Sequence, residues 1–310
     1  MDFTRYLPGA FASRELLRLG ARVVRVEPPE GDPMRPTATA WDTALRQGTE
    51  SVVCDLKQDP GFARALCERA DVVLEGFRPD VADRLGIGPD GVPPTTVYCS
   101  ITGFGPDEPH RARAGHDVNY LGWAGVLADT APALPPVQIA DLAAGALGAV
   151  IQVLAALLDR ERTGEGARLV VSMTHRSHDL VAHRLRGEPV PRMLTGGLAC
   201  YRLYATSDGR FLTVGALEPK FFTRLCELVG RPDLAERQFE DDQEALAAEL
   251  AGVFREGTLS DWIACFEGED ACVGPVWTRE EAAAAFGTHD AAATVPLGAD
   301  TDRWRRELGL

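Results

Sequence analysis

Two periods of apolar residues alternate along the first half of the chain. Phe11 to Leu19 repeats at helical spacing, opens on Pro8-Gly9 and stops at Gly20, the residue type that most often follows a helix end. Short β-branched runs then appear at Arg22 to Val26, Ser51 to Asp55, Asp71 to Leu74, Thr96 to Ile101 and Ala167 to Ser172. Between them fall helical segments, Gly61 to Arg69 and about Asp80 to Leu85, and the longest helix runs from Asp141 to about Arg162, before Gly164. Strands and helices alternating at this spacing predict an α/β fold, a Rossmann-like parallel sheet with helices on both faces.

The pattern changes after Arg186. Gly187 to Met193 is rich in proline and charge and reads as a linker. Tyr201 to Ala205 and Phe211 to Val214 flank Ser207-Asp208-Gly209 and predict a hairpin. Helices are expected at Pro219 to Leu228, Gln243 to Phe254, Leu259 to Phe266 and Arg279 to Phe286, with a strand at Cys272 to Val276. The expected organisation is a large domain of residues 1–186, completed by about 287–310, and a smaller α+β domain of residues 187–286.

Composition narrows the function. The chain has 310 residues, 32 Lys plus Arg against 46 Asp plus Glu, and a formal charge of −14. Such acidity argues against general binding to nucleic acid or anionic membrane. No apolar run reaches the ~18 residues of a membrane span, and the opening MDFTRYLPGAF has no signal-peptide pattern. The seven cysteines form no CxxC pair, so a cytoplasmic protein is expected. His175 and His178 sit three apart on an expected helix, but no further ligand is spaced to complete a metal site.

Three candidates for acid–base chemistry stand in distinctive contexts. His116, in Gly115-His116-Asp117-Val118-Asn119-Tyr120, falls at the start of a helix, where the neutral imidazole is favoured as a base. Asp141 stands at the start of the longest helix. Taken alone it is an N-cap, although the N–H groups there could also hold an oxyanion. Glu218, in Gly215-Ala216-Leu217-Glu218-Pro219, is by itself a surface carboxylate.

Nearly the whole chain, Tyr6 to Leu310, resembles CoA-transferase family III, and within it the α-methylacyl-CoA racemase branch. The resemblance is carried by LPGAFASRELLRLGARVVRVE, DVVLEGFRPDVADRLGIGPD, ITGFGPDEP, AGHDVNYLGWAGVL, LDRERTGEGARLVVSM, GGLACYRLYATSDGRFLTVGALEPKFF and ACVGPVWTREEA. It implies that His116 and Asp141 are the acid–base pair and that Glu218 orients the histidine from the other subunit of an interlocked homodimer. Asp55, Lys57, Arg84, Asp117, Tyr120 and Gly145 are the positions it sets against substrate. It further implies a small-molecule thioester substrate, no metal, and no cofactor beyond the CoA of the substrate itself. The reaction is racemisation or epimerisation through an enolate. In the transferase branch the matching aspartate is instead a nucleophile and the histidine is missing.

The sequence departs from that pattern where relatives bind the CoA nucleotide. Pro28 replaces an arginine, and Gln47-Gly48-Thr49-Glu50 replaces a basic turn. Ala143-Ala144 stands where relatives carry glycines, and its methyls are expected to narrow the room beside the enolate. Thr195 replaces an aspartate, and the chain opens inside the first strand of the pattern. Three readings therefore stand beside the racemase. One is a relative repurposed for specialised metabolism, acting on a carrier-protein-bound or non-CoA substrate. Another is a CoA transferase using Asp141, and the third is a non-catalytic scaffold.

Overall fold

The computed structural model describes residues 1–106, 109–182, 193–287 and 293–310. The chain divides into two compact units, Met1–Ala182 with His289–Leu310, and His183–Thr288. The expected linker at 187–193 lies, except for Met193, outside the described residues.

The large unit is built on a parallel sheet. Helix α1 (Tyr6–Arg18) leads to strand β1 (Val24–Glu27). Helices α2 (Met34–Thr37) and α3 (Thr39–Arg46), which the periodicity does not signal, precede β2 (Glu50–Val53). Then follow α4 (Pro60–Glu68), β3 (Val72–Glu75), α5 (Val81–Arg84) and β4 (Val97–Thr102). Helix α6 (Asp117–Trp123) and the long helix α7 (140–163) lead to β5 (Arg168–Ser172) and α8 (Met173–Val181). β1 pairs with β2, and β3, β4 and β5 pair in that order, all parallel. Residues 1–3 join the two sets. Asp2 N–H donates to Val24 O, and Phe3 N–H donates to Leu74 O, both at 2.8 Å. These residues therefore lie between β1 and β3 and close a continuous sheet.

The C-terminal helix Thr301–Leu308 locks onto β2. Asp300 accepts from Ser51 N–H at 2.9 Å, and the Trp304 indole donates to Glu50 at 2.6 Å. Trp304 is buried in the core beside Phe62 and Val52.

A buried ion cluster holds the loop between β1 and α3. Arg25 and Arg46 are almost fully buried with Asp2, Glu27, Asp32 and Asp42. Arg25 pairs with Asp32 at 2.7 Å, and Arg35 with Glu27 at 2.6 Å. This tertiary network explains helices that local apolar spacing does not specify.

By length and composition, α7 could cross a membrane. Here one side of it builds the core, with Ala144, Ala146, Ala149, Val150 and Val153 buried. The opposite side leaves Leu147, Ile151, Leu154 and Leu158 exposed at spacings of four, three and four.

The small unit has an antiparallel sheet of β6 (Tyr201–Ala205), β7 (Phe211–Gly215) and β8 (Val273–Pro275). Helices α9 (Pro219–Leu228), α10 (Gln243–Phe254), α11 (Leu259–Phe266) and α12 (Arg279–Phe286) follow the expected bounds. Its core gathers Phe222, Leu225, Leu246, Leu250 and Phe254.

Candidate active site

The cavity that His116 and Asp141 line opens at the C-terminal ends of the parallel strands, where loops of an open α/β sheet converge. The chain leaves the strand at residues 1–3 and enters α1 through Thr4 and Arg5. Asp2 fixes that turn, accepting from Thr4 N–H at 2.8 Å and from its hydroxyl at 2.6 Å. Gly9 is required there, because a Cβ would stand 1.7 Å from Thr4 Oγ1. Tyr6 has φ +65°, a left-handed conformation that a tyrosine seldom adopts. Its N–H donates to the buried Asp32 carboxylate at 3.1 Å, so the ion cluster helps hold this strained residue in place.

A cavity of about 340 Å³ forms among Thr4 to Tyr6, Gly76 to Pro79, Ile101 to Gly103, Arg111, and Arg113 to His116. Both His116 and Asp141 line it, as do Tyr120 and Met173. His116 caps α6 in extended conformation, and Asn119 Oδ1 accepts from its N–H at 3.0 Å. The Tyr6 ring stands perpendicular to the imidazole, with centroids 6.3 Å apart at 90°. Tyr120 is buried under the loop and donates its hydroxyl to Gly115 O at 2.6 Å. Burial, then the nearby Asp141 charge, pushes that phenol up to about 12.

Asp141 is the second residue of α7, and the cap position belongs to Ile139. The first turns of α7, Ala140–Leu147, are π-helical, a widened geometry often found at functional positions. Burial first, and the Asp117 carboxylate second, push Asp141 up to about 7. A carboxyl there exchanges its proton near neutrality, as an acid–base catalyst must.

The geometry shows what several of the other expected residues touch. The amide of Asp141 does not face an empty oxyanion site: it donates to Asp117 Oδ1 at 2.9 Å, and Leu142 N–H donates to Gln138 O at 2.9 Å. Asp117 thus steadies the start of α7 and is absent from the cavity lining. Gly145 is buried; a Cβ there would stand 2.9 Å from Met173 Cγ, so the glycine allows close packing against α8. Neither Ala143 nor Ala144 lines the cavity, and their methyls do not narrow it. Glu218 is exposed at the cap position of α9 in the small unit.

A second cavity, of about 700 Å³, shares Arg5, Tyr6, Gly76, Phe77 and Arg78 with the first. Pro28, Asp55 and Lys57 line it. Arg84 does not, because α5 turns Val81 and Leu85, one helical turn apart, toward it and leaves Arg84 exposed. Gln47 to Glu50 also lie outside its lining. Glu50 is instead held by Arg22 at 2.7 Å, at the N-terminal end of β2. Among the nucleotide-region departures, only Pro28 bears on this cavity.

The histidine pair of α8 is engaged elsewhere. His175 Nδ1 lies 2.8 Å from Ser172 Oγ, and His178 Nδ1 lies 3.0 Å from Ala124 O.

Tyr6, Arg5 and Arg78 were not singled out by sequence reasoning. The available signal was position, since both segments directly follow strands of a parallel sheet. The left-handed backbone of Tyr6 left no local trace.

Comparison with known proteins agrees with this architecture. Human alpha-methylacyl-CoA racemase is 37% identical over 301 residues, covering 91% of this chain and 77% of the relative. Mouse succinyl-CoA:glutarate CoA-transferase is 29% identical over 309 residues, covering 89% of this chain and 70% of that protein. A crystal structure of a CAIB/BAIF family protein from Brucella suis superposes with a TM-score of 0.82 at 25% identity, over 99% of this chain and 97% of that one. Residues 1–303 match CoA-transferase family III, so the chain belongs to that enzyme family.

Proposed function

We propose that the enzyme racemises or epimerises a 2-substituted acyl thioester, moving its α-proton through an enolate by a two-base mechanism. The observation that carries this reading is the meeting of His116 and Asp141 in one cavity, with Asp141 pushed up to about 7. A weakly acidic α-hydrogen needs a base on one face and a proton donor on the other. An imidazole and a carboxyl held near 7 can exchange those roles with the configuration of the substrate. The long thioester arm enters through the second cavity, past Tyr6 and Phe77, with Lys57 and Asp55 beside it.

The transferase reading shares the same fold and the same aspartate. It is disfavoured because His116, which the transferase branch lacks by resemblance, lines the same cavity. Glu218, exposed in the small unit, is proposed to orient His116 from a second copy of the chain. The exposed row Leu147, Ile151, Leu154 and Leu158 on α7 supports such a homodimer, since apolar stripes of this spacing pack against partner helices.

The test is solvent exchange. Purified protein is incubated with 2-methylacyl-CoA esters in D2O, and α-deuteration is followed by mass spectrometry. Deuteration that disappears in both His116→Ala and Asp141→Ala is the expected result. A mass adduct of CoA on Asp141 without α-deuteration would establish the transferase instead.

A further inference from the structure

The cavity around the acid–base pair is much more positive than the chain that builds it. The chain carries −14. Arg5, Arg78, Arg111 and Arg113 nevertheless all line this cavity, and Asp141 is the sole carboxylate among its described lining residues. Arg111 reaches Asp80 only at 3.5 Å, with both side chains about half exposed. Arg113 stands over the Trp123 ring at 5.7 Å. No ion pair joins Arg5, Arg78 or Arg113 to a carboxylate among the described residues.

The four arginines divide by position. Arg5 and Arg78 line both cavities and so stand at the passage between them. Arg111 and Arg113 line only the cavity of His116 and Asp141. A thioester that threads both cavities puts its long arm past Arg5 and Arg78 and its acyl chain beside His116. Arg111 and Arg113 then face the acyl chain.

We propose that Arg111 and Arg113 form a carboxylate subsite, and that the substrate is the monothioester of a 2-substituted dicarboxylic acid. The inference rests on the proton-transfer reading above. Guanidinium groups match a carboxylate with paired, charge-assisted hydrogen bonds. A purely hydrocarbon acyl chain would offer these cations no partner and leave them to water and, for Arg111, to the distant Asp80. A phosphate of the thioester arm has similar chemistry, and the test separates the two sources.

Two CoA esters of equal chain length serve as probes, neutral 2-methylpentanoyl-CoA and anionic 2-methylglutaryl-CoA joined through the carboxyl beside the methyl branch. Calorimetric affinities and α-deuterium exchange are measured for wild type and for an Arg111→Gln, Arg113→Gln double variant. Both side chains are exposed, so the variant is expected to fold. The proposal predicts roughly tenfold tighter binding of the carboxylated ester by wild type. It also predicts loss of that preference in the variant, the anionic ester weakening by roughly tenfold and the neutral ester far less. Equal affinity for the two esters in wild type overturns the proposal. So does a variant that weakens both esters alike, which assigns the arginines to the phosphates of the arm. Exchange absent on both esters, with the anionic one still bound more tightly, overturns proton transfer and leaves the carboxylate subsite standing.

Discussion

Replacing Asp141 with asparagine should make the folded protein more stable, and more so as pH rises. The folded state keeps the Asp141 proton up to about 7. The unfolded chain gives it up near the ordinary value of 3.8. Between those values the folded state binds more protons, so stability falls as pH increases through that window, and the loss is complete above 7. Each pH unit of the window is worth about 1.4 kcal/mol, giving at most about 4 kcal/mol at pH 8. Water reaching the cavity screens part of this, leaving about 2–4 kcal/mol. Asparagine has similar shape and never ionises, so it escapes the penalty. Urea denaturation of wild type and Asp141→Asn at pH 4, 5, 6, 7 and 8 reads the difference directly. The curves should nearly coincide at pH 4 and separate steadily toward pH 8, while the variant is catalytically dead. A gap that does not change with pH would refute the claim that burial raises this carboxyl.

Other perturbations probe the supports of the site. Glu27 feels burial that raises its carboxyl, but the Arg35 hydrogen bond and the charges of Arg46 and Arg25 outweigh it and bring it to about 2. Glu27→Ala leaves Arg35 without its carboxylate and the cluster of Arg25 and Arg46 one negative charge short, although those two keep Asp32 and Asp42, and should cost about 3–5 kcal/mol in chemical denaturation; a cost below 1 would mean that water solvates the cluster. Gly103→Ala puts a Cβ 2.4 Å from the Tyr120 ring and should destabilise by about 1–3 kcal/mol, with a lower kcat from a displaced His116 loop. Tyr6→Phe should preserve activity, because it keeps the ring that stands perpendicular to the imidazole, whereas Tyr6→Ala should lower kcat more than it raises KM; equal activity of the two variants would remove Tyr6 from the site.

How much was legible depended on how local each signal was. Helices α9 to α12 agree with the sequence reading to the residue because their ends are written locally. Thr258 and Thr278 cap α11 and α12 in reciprocal boxes with Asp261 and Glu281, three residues on. Helix α3 was missed because its buried face is polar, with Asp42 and Arg46 joining charges on β1 and the following loop. For the site, motif resemblance pointed to His116 and Asp141, which meet in one cavity. The hydrogen bond from the Asp141 amide to Asp117 spans 24 residues and could not be read locally. The resemblance sets Arg84 against substrate, but the helical phase of α5 presents Val81 and Leu85 to the second cavity and leaves Arg84 exposed.

The central claim is that two groups on opposite faces of one carbon share the proton. It is tested most directly by starting from a single enantiomer of a 2-methylacyl thioester in D2O and quenching within the first few per cent of conversion. Recovered substrate and inverted product are then separated and weighed by mass spectrometry. Two bases predict that the inverted product carries one solvent deuteron while the recovered enantiomer still carries its original hydrogen, with His116→Ala and Asp141→Ala both unable to invert. Inverted product that retains the original hydrogen would contradict the account, since a single group would then have carried the proton across.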